Sequence, residues 1–160
     1  MEQNEKSKRC ESCGFEYFLN PSSSVAAFIL NSRGELLVTR RKLDPGRGTL
    51  DLPGGFCDIG ETTEEALARE IEEETHLVIK ERCYFCSLPN KYRYSGLDIP
   101  TLDSFFVCKV EDEAALKAAD DVDEARWLPL DEIHTEQFGL RSIRQALYDF
   151  LQREKENLKK

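Results

Sequence analysis

No stretch of this 160-residue chain is apolar for the roughly 20 residues that a membrane-spanning helix needs, and the amino end, MEQNEKSKRCESCGF, carries no charged-then-apolar leader. Both absences lead us to expect a cytoplasmic protein without a membrane partner. Positive charge is also scarce: 22 Lys and Arg stand against 31 Asp and Glu, a formal net charge of −9. Non-specific grip on nucleic acid comes from Lys and Arg neutralising phosphates, so a DNA or RNA polymer is not the expected partner. A small phosphorylated substrate is still allowed, because a few local cations or bound metals reverse the sign of one pocket. The six cysteines (Cys10, Cys13, Cys57, Cys83, Cys86 and Cys108) are too dilute for a secreted disulfide scaffold and suit a reducing compartment. Repeats, low-complexity tracts and dividing linkers are missing as well, so the chain reads as one domain able to bury its own core.

Val25 to Leu30 is a continuous apolar run, and Asn31-Ser32-Arg33-Gly34 turns into a second run, Glu35 to Thr39, the pattern of a β-hairpin. A breaker-rich loop leads to Pro53-Gly54-Gly55, where paired glycines permit close approach of backbone to a ligand. Thr62 or Thr63 caps a helix expected from Thr63 to about Thr75, with Ala66, Leu67, Ile71 and Thr75 on its less polar stripe. Strands follow at Leu77 to Leu88 and Thr101 to Val110, joined by a tyrosine-bearing loop from Pro89 to Pro100. A short helix over Glu113 to Ala119, a strand over Glu124 to Leu128 and a helical turn at Pro129 to Ile133 complete the middle of the chain. Ile143, Ala146, Leu147, Phe150 and Leu151 recur at amphipathic-helix spacing, and Glu154 to Lys160 should fray. Strands alternating with helices, through hairpins and crossovers, imply an α/β fold whose mixed sheet is covered by helices on both faces.

Between Asp58 and Glu74 eight acids face a single cation, Arg69. A solvated helix face usually intersperses cations at i,i+4, whereas like charges at that spacing repel. Glu70, Glu73 and Glu74 stand at i, i+3 and i+4 beside the paired glycines, so a cation joining them is the alternative to a plain acidic surface. Hard carboxylate oxygens suit Mg²⁺ or Mn²⁺, which commonly share their coordination with substrate phosphates.

The stretch GFCDIGETTEEALAREIEEETHL, Gly55 to Leu77, resembles the Nudix box: Gly, five residues, Glu, seven residues, then Arg-Glu-aliphatic-any-Glu-Glu-any-Gly-aliphatic. Eight of the nine constrained positions match (Gly55, Glu61, Arg69, Glu70, Ile71, Glu73, Glu74 and Leu77), and His76 replaces the last glycine. Ala26 to Leu52 and Phe105 to Leu130, with Trp127-Leu128-Pro129-Leu130, are similar to the rest of that family's domain. The resemblance implies an α/β/α sandwich over residues 21–160 and metal-dependent hydrolysis of a nucleoside diphosphate linked to another moiety, such as ADP-ribose or an NADH-like dinucleotide. It also implies Glu70, Glu73, Glu74 and the Gly55 carbonyl as ligands of Mg²⁺ or Mn²⁺, with Arg69 and Glu61 as a positioning ion pair. Glu73 is the favoured general base, with Glu124 and Asp103 as alternatives. Arg40 or Arg41 is expected to reach a substrate phosphate, and Tyr92 and Tyr94 to stack on a base. A histidine at position 76 must take up the left-handed exit that glycine adopts freely.

Arg9-Cys10-Glu11-Ser12-Cys13-Gly14-Phe15 resembles one knuckle of the zinc ribbon that precedes the catalytic domain in the NADH pyrophosphatase branch, so residues 1–20 read as a partial ribbon. A structural zinc needs four ligands. Cys83 and Cys86, three apart in a strand, converge on the same side only at a bulge, and we do not expect zinc at these cysteines. Cys57 and Cys108 read as small apolar fillers. Ser87-Leu88-Pro89 matches only part of that branch's signature, which leaves ADP-ribose and other nucleoside diphosphate derivatives open beside NADH. A nucleoside triphosphate pyrophosphatase, a non-catalytic nucleotide-sensing module and a thiol or zinc interaction protein are the competing readings, and self-association as a homodimer is open.

Overall fold

The structure, a computed structural model, describes residues 6–116 and 125–159. In chain order the elements are β1 (Ser7–Arg9), β2 (Glu16–Phe18), β3 (Ser22–Ile29), β4 (Leu36–Arg40), β5 (Leu50–Asp51), β6 (Gly54–Phe56), α1 (Thr63–Thr75), β7 (Ile79–Tyr94), β8 (Leu97–Val110), β9 (Ala125–Leu128) and α2 (Arg141–Asn157), with single 3-10 turns at Glu113–Ala115, Leu130–Glu132 and Thr135–Gln137. Strand alternation explains the layering. Along β3, Val25, Ala27 and Ile29 join one buried cluster with Ala66, Leu67 and Ile71 of α1. Ala26 and Phe28 join another with Ile143, Ala146, Leu147 and Phe150 of α2. Strands β4 and β8 divide in the same way, with Leu37, Phe106 and Cys108 toward α1 and Leu36, Val38 and Phe105 toward α2. Period two in a strand sends successive side chains to opposite faces, so each helix acquires its own core. At the centre of the α2 side the Phe28 and Phe150 rings stack with centroids 4.3 Å apart, and Phe85 meets Phe28 edge-on.

Among the described residues the sheets are a two-stranded antiparallel β1-β2 ribbon, a four-stranded mixed sheet ordered β6-β3-β8-β7, parallel only between β3 and β8, and a three-stranded antiparallel one ordered β5-β4-β9. The first hairpin expectation is therefore corrected: β3 and β4 form as strands, but a single Leu30–Leu36 bridge links them and each continues into a different sheet. Both strands are buried on two faces, and long-range partners supply more contact than a local hairpin would. The expected loop from Pro89 to Pro100 is likewise strand, an arm in which Lys91 pairs with Pro100 and Tyr94 with Leu97. Its turn, Ser95-Gly96, takes positive φ at both residues, the geometry of a tight hairpin. Both prolines are tolerated because β7 is an edge strand and β3 pairs with β8 only from Thr101 onward.

Helix α1 begins and ends where expected. Thr62 forms a capping box with Glu65, and His76 closes the helix at φ 60° and ψ 17°, its N–H donating to the Glu72 carbonyl. A bulge between Tyr84 and Cys86 brings Phe85 and Cys86 both against the α2-side core, while Cys83 is exposed. Cys10 and Cys13 lie on the β1–β2 turn, and none of the six cysteines is in a disulfide. Of the segment expected as helix over Glu113 to Ala119, Glu113–Ala115 is a 3-10 turn and the remainder falls partly outside the described residues, as does Glu124. The terminal helix does not fray at Glu154 but continues to Asn157, and the Leu158 N–H still donates to the Glu154 carbonyl. Among the described residues no helix is long and apolar enough to cross a membrane.

Candidate active site

Strand β6 lies between β3 and α1, and two contacts explain its glycines. A Cβ on Gly54 would stand 2.0 Å from the Val25 carbonyl oxygen, and one on Gly55 would stand 2.4 Å from the Glu70 carboxyl carbon. Side chains are thus excluded where the loop presses against β3 and against the acidic helix. Glu74, one helical turn beyond Glu70, accepts a hydrogen bond from the Gly54 N–H at 3.1 Å. Burial pushes the Glu74 carboxyl up to about 8, with the Gly54 hydrogen bond opposing. Burial also raises Glu70, against the pull of Arg69.

Arg69 organises the other side of the helix. Its Nε and Nη2 donate to the two Glu61 oxygens at 2.8 and 2.9 Å, a bidentate pair, and Nη2 also reaches the Phe56 carbonyl at 3.0 Å. Nη1 donates to Glu70 at 2.8 Å and to Glu73 at 3.3 Å. The Arg69 hydrogen bonds, helped by the Asp58 N–H, lower Glu61 to about 2. Arg69 in turn is raised by Glu61 and then Glu70. Glu73 is the outward member of the trio, with 60% of its side chain exposed. The three glutamates therefore do not share one contact: Glu70 and Glu74 face the paired glycines, and Glu73 faces solvent beside Arg69. Among the described residues, no three His, Cys, Asp or Glu side chains are already gathered closely enough to hold a metal ion. The donor set still fits one, because two half-buried carboxylates carry a desolvation penalty that a hard divalent cation removes.

Glu74, Gly54 and Gly55 form one end of a cavity of about 290 Å³ that extends over the ends of β3, β4 and β8. Arg40, Arg41 and Tyr92 line it; Tyr94 does not, standing exposed beside the tip of the β7–β8 arm. Arg41 is locked in place, donating to Asp51, to the Pro45 carbonyl and, at 3.1 Å, to the Tyr92 hydroxyl. Burial pushes the Asp51 carboxyl up, and the Arg41 charge pulls it back. Arg40 donates to the Gly48 carbonyl at 2.6 Å. Phe56 meets Tyr92 edge-on with centroids 5.5 Å apart, so two aromatic rings stand together at the cavity wall.

Sequence reasoning missed Asp51, Phe56, Ser24 and Asn90, and named Asp103 only as a possible base. A signal was available for Asp103: strand alternation puts it on the same inward face as Thr101 and Phe105, and an acid on a buried face requires partners. It has them in the hydroxyls of Ser24, Thr101 and Ser142. Asp51 had no comparable signal, since Arg41 reaches it only through the fold.

A family model described as "NUDIX domain" matches residues 20–150. The ADP-ribose pyrophosphatase of Methanocaldococcus jannaschii is 35% identical over 121 residues, covering 74% of this chain and 68% of that protein. The NAD-capped RNA hydrolase NudC of Haemophilus influenzae is 33% identical over 88 residues, 54% of this chain and 33% of the relative. Human mitochondrial NAD(P)H pyrophosphatase NUDT13 is 29% identical over 130 residues, 81% of this chain and 36% of the relative. The chain thus spans about a third of the length of these last two. Among solved structures, a MutT NUDIX hydrolase from Burkholderia pseudomallei superposes with a TM-score of 0.68 at 26% identity, covering 81% of this chain and 97% of that one. A NUDIX hydrolase from Nitrosomonas europaea gives a TM-score of 0.73 at 24% identity, covering 90% and 77%, a likeness of fold.

Proposed function

Because the chain belongs to the Nudix family of pyrophosphohydrolases, we propose that it hydrolyses a nucleoside diphosphate joined to another moiety, ADP-ribose or an NADH-like dinucleotide, releasing a nucleoside monophosphate. The observation that carries this reading is the junction of Glu70, Glu74 and the Gly54-Gly55 backbone with a cavity bearing Arg40, Arg41 and two aromatic rings. Charged groups for a diphosphate and flat faces for a base stand side by side there.

In this reading Glu70, Glu74 and the Gly55 carbonyl would hold Mg²⁺ or Mn²⁺, with Glu73 at the outer edge of that set beside Arg69. When bound, the divalent ion neutralises phosphate charge and lowers the pKa of attacking water. Arg69 and Glu61 position the helix against β6, since their bidentate pair and the Phe56 carbonyl contact tie the two together. Glu73, exposed and tethered to Arg69 through one oxygen, has its other oxygen free of that tether to take a proton from water. Arg41, held by Asp51, and Arg40 present positive charge to the substrate phosphates, and Tyr92 with Phe56 supplies the face against which a base lies. Tyr94 stands apart from the cavity, so the stacking role is assigned to Tyr92 and Phe56.

The test is Mg²⁺- or Mn²⁺-dependent turnover of a panel containing ADP-ribose, NADH, sugar nucleotides and nucleoside triphosphates, with nucleoside monophosphate release as the readout. Preference for ADP-ribose or NADH over triphosphates is the expected result, and Glu73→Gln should lower kcat by about a hundredfold or more without loss of fold. No turnover of any member would instead favour a nucleotide-sensing module.

A further inference from the structure

Resting on that reading, we infer that Asp103 acts through Ser24 and Thr101 to make one wall of the cavity selective for an amino-bearing purine, adenine rather than hypoxanthine. Ser24 Oγ donates to Asp103 Oδ1 at 2.6 Å, Thr101 Oγ1 donates to the same oxygen at 2.7 Å, and Ser142 Oγ donates to Oδ2. Asp103 and Thr101 are buried, at 7% and 3% exposure, and with Ser24 they line the cavity that also holds Arg41, Phe56 and Tyr92.

A hydroxyl has one proton to give. An ionised carboxylate accepts and never donates, so the protons of Ser24 and Thr101 are committed to Asp103. What those two hydroxyls retain are lone pairs. A wall of neutral hydroxyls, which ordinarily adapts to a donor or an acceptor by rotating, is thereby held in its accepting state.

Two acceptors flanking one carboxylate oxygen match the two hydrogens of an exocyclic amine, and Asn90, which also lines the cavity, brings an amide N–H that a ring nitrogen accepts. Hypoxanthine has a carbonyl oxygen in place of the amine. Against this wall its lone pairs would meet the lone pairs of Ser24 and Thr101, leaving buried acceptors unpaired. Asp103 touches no reacting atom in this scheme; it is a positioning residue that sets hydroxyl polarity.

The experiment is calorimetric titration of AMP and IMP into the full chain, beside turnover of ADP-ribose and its hypoxanthine counterpart. The wild type should bind AMP about tenfold or more tighter than IMP. Asp103→Leu removes both acceptor oxygens at similar volume, so Ser24 and Thr101 are free to turn a proton toward the cavity, and should bring the two affinities within about threefold. Ser24→Ala removes one acceptor at a partly exposed strand position and should narrow the ratio in the same direction; it decides the matter if Asp103→Leu does not fold. Equal wild-type affinities, no binding of either nucleotide, or a ratio that survives in the folded variants would overturn the inference. ADP-ribose left intact while AMP still outbinds IMP would overturn the proposed reaction alone.

Discussion

Glu74 links metal binding to pH in a way that can be measured. Burial holds its carboxyl up to about 8, so near pH 7 only about a tenth of the protein has this side chain ionised in the absence of metal. A divalent ion must displace that proton, and each pH unit below 8 should weaken the apparent Mg²⁺ affinity about tenfold. Glu70, also raised by burial, should steepen the dependence at lower pH. The assay is the Mg²⁺ activation constant for turnover between about pH 6 and about pH 9, repeated in Glu74→Gln, which binds metal more weakly but has no proton at that position to displace. The same shift acts on stability. The folded pKa lies above the ordinary value of 4.5, so the contribution is complete below 4.5 and is lost as pH rises through about 8. The metal-free protein should therefore unfold at progressively lower temperature across that window, and Mg²⁺ should restore it. An activation constant that stays flat from about pH 6 to about pH 8 in the wild type would refute the argument.

Two further substitutions probe the same site. Gly55→Ala places a methyl group 2.4 Å from the Glu70 carboxyl carbon, and should raise the Mg²⁺ activation constant about tenfold or more; an unchanged constant would show that the close approach is dispensable. Arg41→Met leaves Asp51 buried without its cation, and should destabilise the fold by about 3–5 kcal/mol in denaturant titration, with Asp51→Asn in the same background recovering part of the loss.

Much of the site was legible because it lies on one helix. Arg69, Glu70, Glu73 and Glu74 sit within a single capped helix, with Glu61 just ahead of its cap, and local spacing sets which side chains neighbour each other. Even His76, the departure from the family pattern, closes the helix in the left-handed conformation that its position demanded. What spacing did not reveal is the division of the three glutamates, since Arg69 draws Glu73 outward while β6 receives Glu70 and Glu74. The segment from Pro89 to Pro100 reads as a tyrosine-bearing loop in the sequence and is an arm of β7 and β8 in the fold, since proline is excluded from a strand only where its missing N–H would be needed.

From sequence alone came the family, the α/β class, the acidic helix and its ends, because each depends on residues near one another along the chain. Tertiary structure decided that β3 and β4 part into separate sheets, that Arg41 meets Asp51 and Tyr92, and that Asp103 gathers three hydroxyls from two strands and a helix. Such contacts join residues up to 79 positions apart. They arise when apolar faces on both sides of the mixed sheet are buried together, a constraint shared by the whole chain and encoded in no short segment of it.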